Sequence, residues 1–317
     1  MSHEPHDPLA NLQGRLANTE DTARPDAVAK RHSLGGRTAR ENLADLTEDA
    51  PVFEYGQLAV AAQRQRREGD ALFAETAADA VITAVGSVNS ALFPESVART
   101  ALIINDYTVL AGTQGYFHHR KIDRLLALAA QDRLPVIMFT EGGGGRPGDT
   151  DVLVLMAGLN VPTFHQWAAL SGVVPRIAVN HGYCFAGNAA LFGAADLRIA
   201  TANSCIGMAG PAMIEGGGLG AWKPEQIGPV SVHRENGVID IVVSDEAEAV
   251  RVAKQVLAYV QGPLADWECN DQEKLAELMP SNRRYTYDVR KVLNQVLDKD
   301  SFIETRPDAG RAVVTGL

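Results

Sequence analysis

Two glycine-rich turns constrain this chain more than any other feature. They are Glu141-Gly142-Gly143-Gly144-Gly145-Arg146 and His181-Gly182-Tyr183-Cys184-Phe185-Ala186-Gly187-Asn188. Each follows a short apolar run, Leu134-Pro135-Val136-Ile137-Met138-Phe139 for the first and Ile177-Ala178-Val179 for the second. Each also precedes a stretch that can turn helical, so the pattern reads strand, turn, helix start, twice over. Such turns leave backbone N–H groups without intrahelical partners and favour negative charge nearby. Two of them converging on one pocket would form an oxyanion hole, and that points to chemistry on a carbonyl. Each well-placed donor in such a hole contributes about 3 kcal/mol to stabilising a developing oxyanion. Generic connecting turns are the competing reading, because glycine turns after strands are common.

The rest of the chain supplies an α/β frame for these turns. Ala80–Val85, Ala101–Asn105, Leu197–Ala200 and Val238–Val243 are runs rich in β-branched or apolar residues and read as strands. Ile122, Leu125, Leu126 and Ala129 fall at helical spacing. A helix is predicted from Ser244, with Asp245 and Glu246 in its first turn and Val250, Ala253, Leu257 and Val260 on one face. A final helix carries Val289, Val292, Leu293, Val296 and Leu297 at core spacing. Strands alternating with helices predict an α/β architecture.

Composition narrows the class. At 317 residues with 46% hydrophobic and 21% charged residues, the chain can bury a substantial core. No apolar run approaches the ~20 residues that span a bilayer. The opening Met1-Ser2-His3-Glu4-Pro5-His6-Asp7 lacks a basic-then-apolar signal layout, so a cytoplasmic location with no membrane partner is expected. Cys184, Cys205 and Cys269 are too dispersed for a zinc knuckle and too few for a disulfide framework. A net charge of −10 argues against nucleic-acid binding. Two local basic clusters, Lys30/Arg31/Arg37/Arg40 and Arg64/Arg66/Arg67, are either solvated helix surface or sites for a small anion.

Three motifs fail on their own chemistry. Gly143 to Thr150 has P-loop glycine spacing, but Asp149 stands where the loop needs lysine and would repel a triphosphate. Gly182-Tyr183-Cys184-Phe185-Ala186 approximates a nucleophile elbow, with His233 downstream as a base. Ala186 replaces its second glycine and no thiolate-stabilising cation is adjacent, which favours a buried structural cysteine. His118 and His119 point in different directions on a helix, so they read as surface residues and not as a metal site. Trp222 and Met213 read as packing residues.

Taken in order, several segments resemble the N-terminal half of the carboxyltransferase component of biotin-dependent acyl-CoA carboxylases. They are Gly36-Arg37-Thr38-Ala39-Arg40-Glu41-Asn42, Asp106-Tyr107-Thr108-Val109-Leu110-Ala111-Gly112-Thr113, the 141–146 turn, Val174-Pro175-Arg176-Ile177, Gly182–Gly187, Gly210-Pro211-Ala212 and Asp245–Ala249. The agreement runs from about Arg24 to Leu317, and the chain looks most like the carboxyltransferase region of single-chain, long-acyl-type carboxylases. The resemblance implies a crotonase-like spiral of ββα units that binds an acyl-CoA. It further implies that the backbone amides of Ala186 and Gly187 hold the thioester oxygen and that Gly143-Gly144 completes the pocket. Alanine replaces the first glycine of the usual pair, and Glu141-Gly142 departs from the usual Asp-Ser. Lys30, Arg31, Arg37, Arg40 and Lys121 become candidates for the CoA phosphates.

The implied cofactor is biotin on a separate carrier domain or protein, with no metal in this chain. The implied partners are biotin carboxyl carrier and biotin carboxylase components, a carboxyltransferase C-domain, and further copies of the chain in a homo-oligomer. No protein general base is required, and none is evident in the sequence. The expected organisation is an arm over 1–30, the crotonase-like domain over 31–262, a linker with helices over 263–300, and the start of a second domain over 301–317. Three alternatives stay open. One is another crotonase-type enzyme (malonyl decarboxylase, hydratase or isomerase) using Glu141 or Glu215. The others are a cysteine hydrolase on Cys184 and a non-catalytic CoA-binding subunit.

Overall fold

The structure is a computed structural model that describes residues 7–152, 161–282 and 284–317. Its apolar runs become Phe53–Glu54 (β1), Val81–Ser87 (β2), Arg99–Asn105 (β3), Val136–Phe139 (β4), Arg176–Asn180 (β5), Tyr183–Phe185 (β6), Leu197–Thr201 (β7), Cys205–Gly207 (β8) and Ile241–Val243 (β9). Seven of these form one sheet in the order β1-β2-β3-β4-β5-β7-β9, while β6 and β8 pair with each other. The β1–β2 and β2–β3 pairs are antiparallel, and β3–β4, β4–β5, β5–β7 and β7–β9 are parallel.

Period-two alternation places these strands between two cores. Ala101, Ile103, Val136, Met138 and Ala178 face one cluster, whereas Leu102, Ile104, Ile137, Phe139, Ile177 and Val179 face the other. Parallel strands buried on both faces read as continuous apolar runs, which is why they are legible in the sequence. Beyond the first six residues, which lie outside the described ones, the expected arm holds the helix Pro8–Ala17 (α1) and the start of Pro25–Ser33 (α2), which runs past its end at 30. Ala39–Thr47 (α3) follows, opened by a capping box in which Thr38 Oγ1 accepts from Glu41 N–H and Glu41 accepts from Thr38 N–H.

Tyr116–Asp132 (α4) buries Ile122, Leu125, Leu126 and Ala129 in the first core, as their spacing predicts. Thr163–Ala169 (α5) packs beside it. The second glycine turn opens Gly187–Gly193 (α6). Glu246–Gln261 (α7) closes the other face through Ala249, Val250, Ala253 and Leu257; Val260, predicted for the same stripe, is exposed. Val289–Val296 (α8) corrects a second expectation: it buries no residue, and its valines at 289 and 296 are 39% and 50% exposed. Its spacing is helical, yet the stripe is only partly covered, with Val292, Leu293 and Leu297 half-buried. Trp222 and Met213 are likewise exposed and not packing residues.

Candidate functional site

The parallel sheet carries β4 and β5 side by side, so the loops leaving their C-terminal ends meet. The chain after β5 turns back as β6, and Gly142 bridges to it: Gly142 N–H donates to Tyr183 O at 2.8 Å and Phe185 N–H donates to Gly142 O at 2.9 Å. Asn188, fully buried in the first turn of α6, fastens the same junction. Its Oδ1 accepts from Gly144 N–H at 3.0 Å, and its Nδ2 donates to Thr140 O at 3.1 Å. Gly144 has φ +88°, and a Cβ there would lie 2.7 Å from the Ala186 Cβ. The two turns therefore touch, and glycine at 144 accommodates alanine at 186.

The four residues expected around the oxyanion differ in what their backbone N–H groups meet. Ala186 N–H donates to Gly207 O at 2.9 Å in the β6–β8 pairing, Gly143 N–H to Ala111 O at 3.2 Å, and Gly144 N–H to Asn188. Gly187, the first residue of α6, keeps an N–H with no partner among the described residues. The expected pair at Ala186 and Gly187 is thus corrected to a single free donor, because strand pairing consumes the first. Ala186 sits at φ +50°, ψ −118°, a conformation that favours glycine. Ala186→Gly is expected to raise stability by about 1 kcal/mol through release of that strain, read by urea unfolding; a loss of stability would contradict this.

Beneath the first turn lies a buried charge cluster. Arg31 of α2 forks onto Glu141, Nη1 to Oε1 at 2.9 Å and Nη2 to Oε2 at 2.5 Å, and Nη2 also reaches Glu246 at 3.4 Å. Glu246 accepts from Asn42 Nδ2 and from Arg37 N–H, and His181 Nε2 stands 3.7 Å away. Burial pushes the Glu141 carboxyl up to about 7, opposed by Arg31 and reinforced by Glu246 and Asp106. Between about 4.5 and about 7 the folded protein then holds a proton that the unfolded chain releases. This contribution to stability is complete below that window and lost as pH rises through it. Glu141→Gln is expected to flatten the fall in unfolding free energy between about pH 5 and about pH 8, and an unchanged slope would contradict it.

The cations named for CoA phosphates require correction. Arg31 is committed to Glu141 and Glu246, Arg37 to Asp45 at 2.7 Å, and Arg40 to Glu54 in a forked pair. Lys121 is buried and donates to the carbonyls of Ala78 and Val81, and burial lowers its ammonium to about 8. Clustered charge in the sequence reads as surface, yet Arg31 pairs internally because Glu141 and Glu246 arrive from distant segments, while Arg37 and Arg40 find acids nearer in the chain and Lys121 is held by backbone carbonyls. Lys30 alone of the five is exposed with no ion pair among the described residues. Arg64 and Arg66 are also exposed, and Arg66 reaches Gly148 O at 3.5 Å, two residues beyond the first turn.

His118 and His119 are buried, correcting the surface reading; Nδ1 of His118 faces Asp79 O and Nδ1 of His119 faces Thr163 Oγ1. Burial holds His118 well below its usual range and His119 at about 4. Among the described residues, no group of three or more His, Cys, Asp or Glu could hold a metal. No described helix is long and apolar enough to cross a membrane. Cys184 is fully buried with its thiol pushed up to about 12, which removes the nucleophile needed by the hydrolase alternative. Iodoacetamide is expected to label exposed Cys269 in the folded protein and spare Cys184, as peptide mapping would show; labelled Cys184 would contradict its inertness.

Asp149, which breaks the P-loop pattern, instead accepts from Tyr116 N–H at 2.8 Å and completes the N-terminus of α4. Arg146 anchors the end of the first turn: its guanidinium pairs with the buried carboxylates of Asp79 and Asp149 and donates to Thr113 O at 2.6 Å. Sequence reasoning missed Asn188 and the role of Arg146, since both act on partners far away in the chain.

These features define an α/β protein of crotonase-like fold with a backbone donor left free at Gly187, where two glycine turns meet. A carboxyl transferase domain model matches residues 30–317, and the chain belongs to that family. A probable biotin-dependent acyl-CoA carboxylase β2 subunit of Mycobacterium tuberculosis is 27% identical over 97% of this chain and 56% of its own length. A solved single-chain, multi-domain long-chain acyl-CoA carboxylase superposes with TM-score 0.94 at 50% identity, over all of this chain and 31% of that one. Transcarboxylase 12S, solved as a hexamer with methylmalonyl-CoA and methylmalonic acid bound, shares the fold at TM-score 0.81 and 23% identity, over 100% of this chain and 60% of that one. The chain therefore spans about half the length of the curated relative it matches.

Proposed function

We propose that this chain forms the acyl-CoA side of the carboxyltransferase site of a biotin-dependent acyl-CoA carboxylase. The observation that carries the reading is the unpartnered Gly187 N–H at the junction of the two turns. There it would donate to the thioester oxygen and stabilise the charge that develops when the α-proton leaves. Such a donor contributes most where it is preorganised, and Asn188 and the β6 bridge fix both turns. Lys30, Arg64 and Arg66 are the exposed cations we assign to CoA phosphates, in place of the internally paired set.

Biotin, on a carrier domain or protein, would supply the carboxyl group and a nitrogen that takes the α-proton. Gly143 and Gly145 are exposed, and no atom lies within 4 Å of a Cβ position at Gly145, so the first turn leaves room for that group. This chain's own part is to bind the thioester, fix its oxygen and exclude a competing base. Cys184 and the two buried histidines offer none. Working partners would be the carrier and carboxylase components and a C-domain, in a cytoplasmic homo-oligomer. The test is carboxyl transfer from carboxybiotin to a propionyl-CoA or palmitoyl-CoA acceptor with those components present. Transfer that depends on Gly187 supports the reading; hydration or isomerisation of an enoyl-CoA without biotin would replace it.

A further inference from the structure

Gln114 stands beside the Gly187 donor, and its side chain makes no hydrogen bond to another described residue. Its backbone is fixed between the ends of the first turn: its N–H donates to Gly144 O at 2.8 Å and its carbonyl accepts from Arg146 N–H at 2.8 Å. The side chain is thereby directed at the start of α6. Its Oε1 lies 2.1 Å from where a Cβ of Gly187 would sit, with the edge of Phe164 at 3.1 Å from the same point. The residue is 1% exposed, and its Nε2 is buried with no hydrogen-bond partner among the described residues.

A buried carboxamide N–H without an acceptor is unfavourable, and an apolar side chain of the same length would fill the space without that penalty. A carboxamide at this position is explained if the end beside Gly187 meets a polar atom of the ligand. Half a turn about the terminal torsion, which is soft for a carboxamide, exchanges Oε1 and Nε2 and brings an N–H to the Gly187 side. The geometry points to Gln114 as a side-chain donor to the thioester oxygen of the acyl-CoA, alongside the Gly187 N–H. The inference rests on the acyl-CoA reading above and deepens it. Phe164, 38% exposed, supplies the apolar edge of the same spot.

The test compares calorimetric affinities for propionyl-CoA and for S-propyl-CoA, in which a methylene replaces the thioester carbonyl. The unsubstituted protein is expected to prefer the thioester. Gln114→Met, close in shape but without the donor, is expected to cut that preference about tenfold, while S-propyl-CoA binds within about twofold of before. Gln114→Glu presents an acceptor in place of the donor and is expected to lose the preference as well; this second variant reads the same ratio should Gln114→Met fail to fold. An unchanged thioester preference in either folded variant overturns the assignment and leaves Gln114 a packing residue. Failure of the unsubstituted protein to bind either compound overturns the acyl-CoA reading together with this one.

Discussion

Gly187→Val is expected to lower carboxyl transfer by at least about 100-fold while the protein stays folded. Two effects combine. A Cβ at 187 would enter the space held by the Gln114 carboxamide and Phe164, and the branched side chain would crowd the free Gly187 amide. Loss of a single preorganised oxyanion donor lowers turnover by roughly 100- to 1000-fold. The fold survives because the atoms met first are the far ends of side chains and not backbone. Transfer assays run beside thermal melts check both halves of this expectation. Near-normal transfer by a folded Gly187→Val protein would place the oxyanion elsewhere.

Arg146→Ala is expected to destabilise the chain by about 3–5 kcal/mol, the range for removing one partner of a buried ion pair. The side chains of Asp79 and Asp149 are wholly inaccessible, and Arg146 contacts both while also bonding Thr113 through Oγ1 and the backbone carbonyl. Its loss leaves two carboxylates in a site where burial already pushes Asp79 above the usual carboxylate range. Arg146→Lys should recover only part of the stability, since an ammonium keeps the charge but not the fork. Urea unfolding of both variants gives the comparison. Equal stability of Arg146→Ala and the unsubstituted protein would refute the anchoring role of the pair.

How much was legible in the sequence follows from the range of the forces involved. The parallel strands are apolar on both faces, so Val136–Phe139 and Arg176–Asn180 announce themselves, and the turns after them are marked by glycine. Helix α4 is legible because its buried residues repeat at the helical period. Long-range polar pairing is not legible. Arg31 meets a glutamate 110 positions away and another 215 away, so a basic run that looks solvated folds inward. The same holds for Lys121 and for His118, whose partners lie on the 77–81 segment. The reverse error is α8, where helical spacing marks an apolar stripe but cannot say what covers it.

The candidate site divides along the same line. Which turns form it is visible from glycine and strand order. Which amides remain free is decided by pairings to Gly207, Ala111 and Asn188 that no local pattern encodes. Gln114 is a single polar residue in an otherwise unremarkable loop, and only the missing partner of its Nε2 sets it apart.

The most direct measurement is a structure of the protein with a bound acyl-CoA. The thioester oxygen is expected about 2.9 Å from the Gly187 nitrogen, with the Gln114 carboxamide turned toward it. An acyl-CoA seated with its carbonyl away from this junction, and the Gly187 N–H facing water, would contradict the central claim.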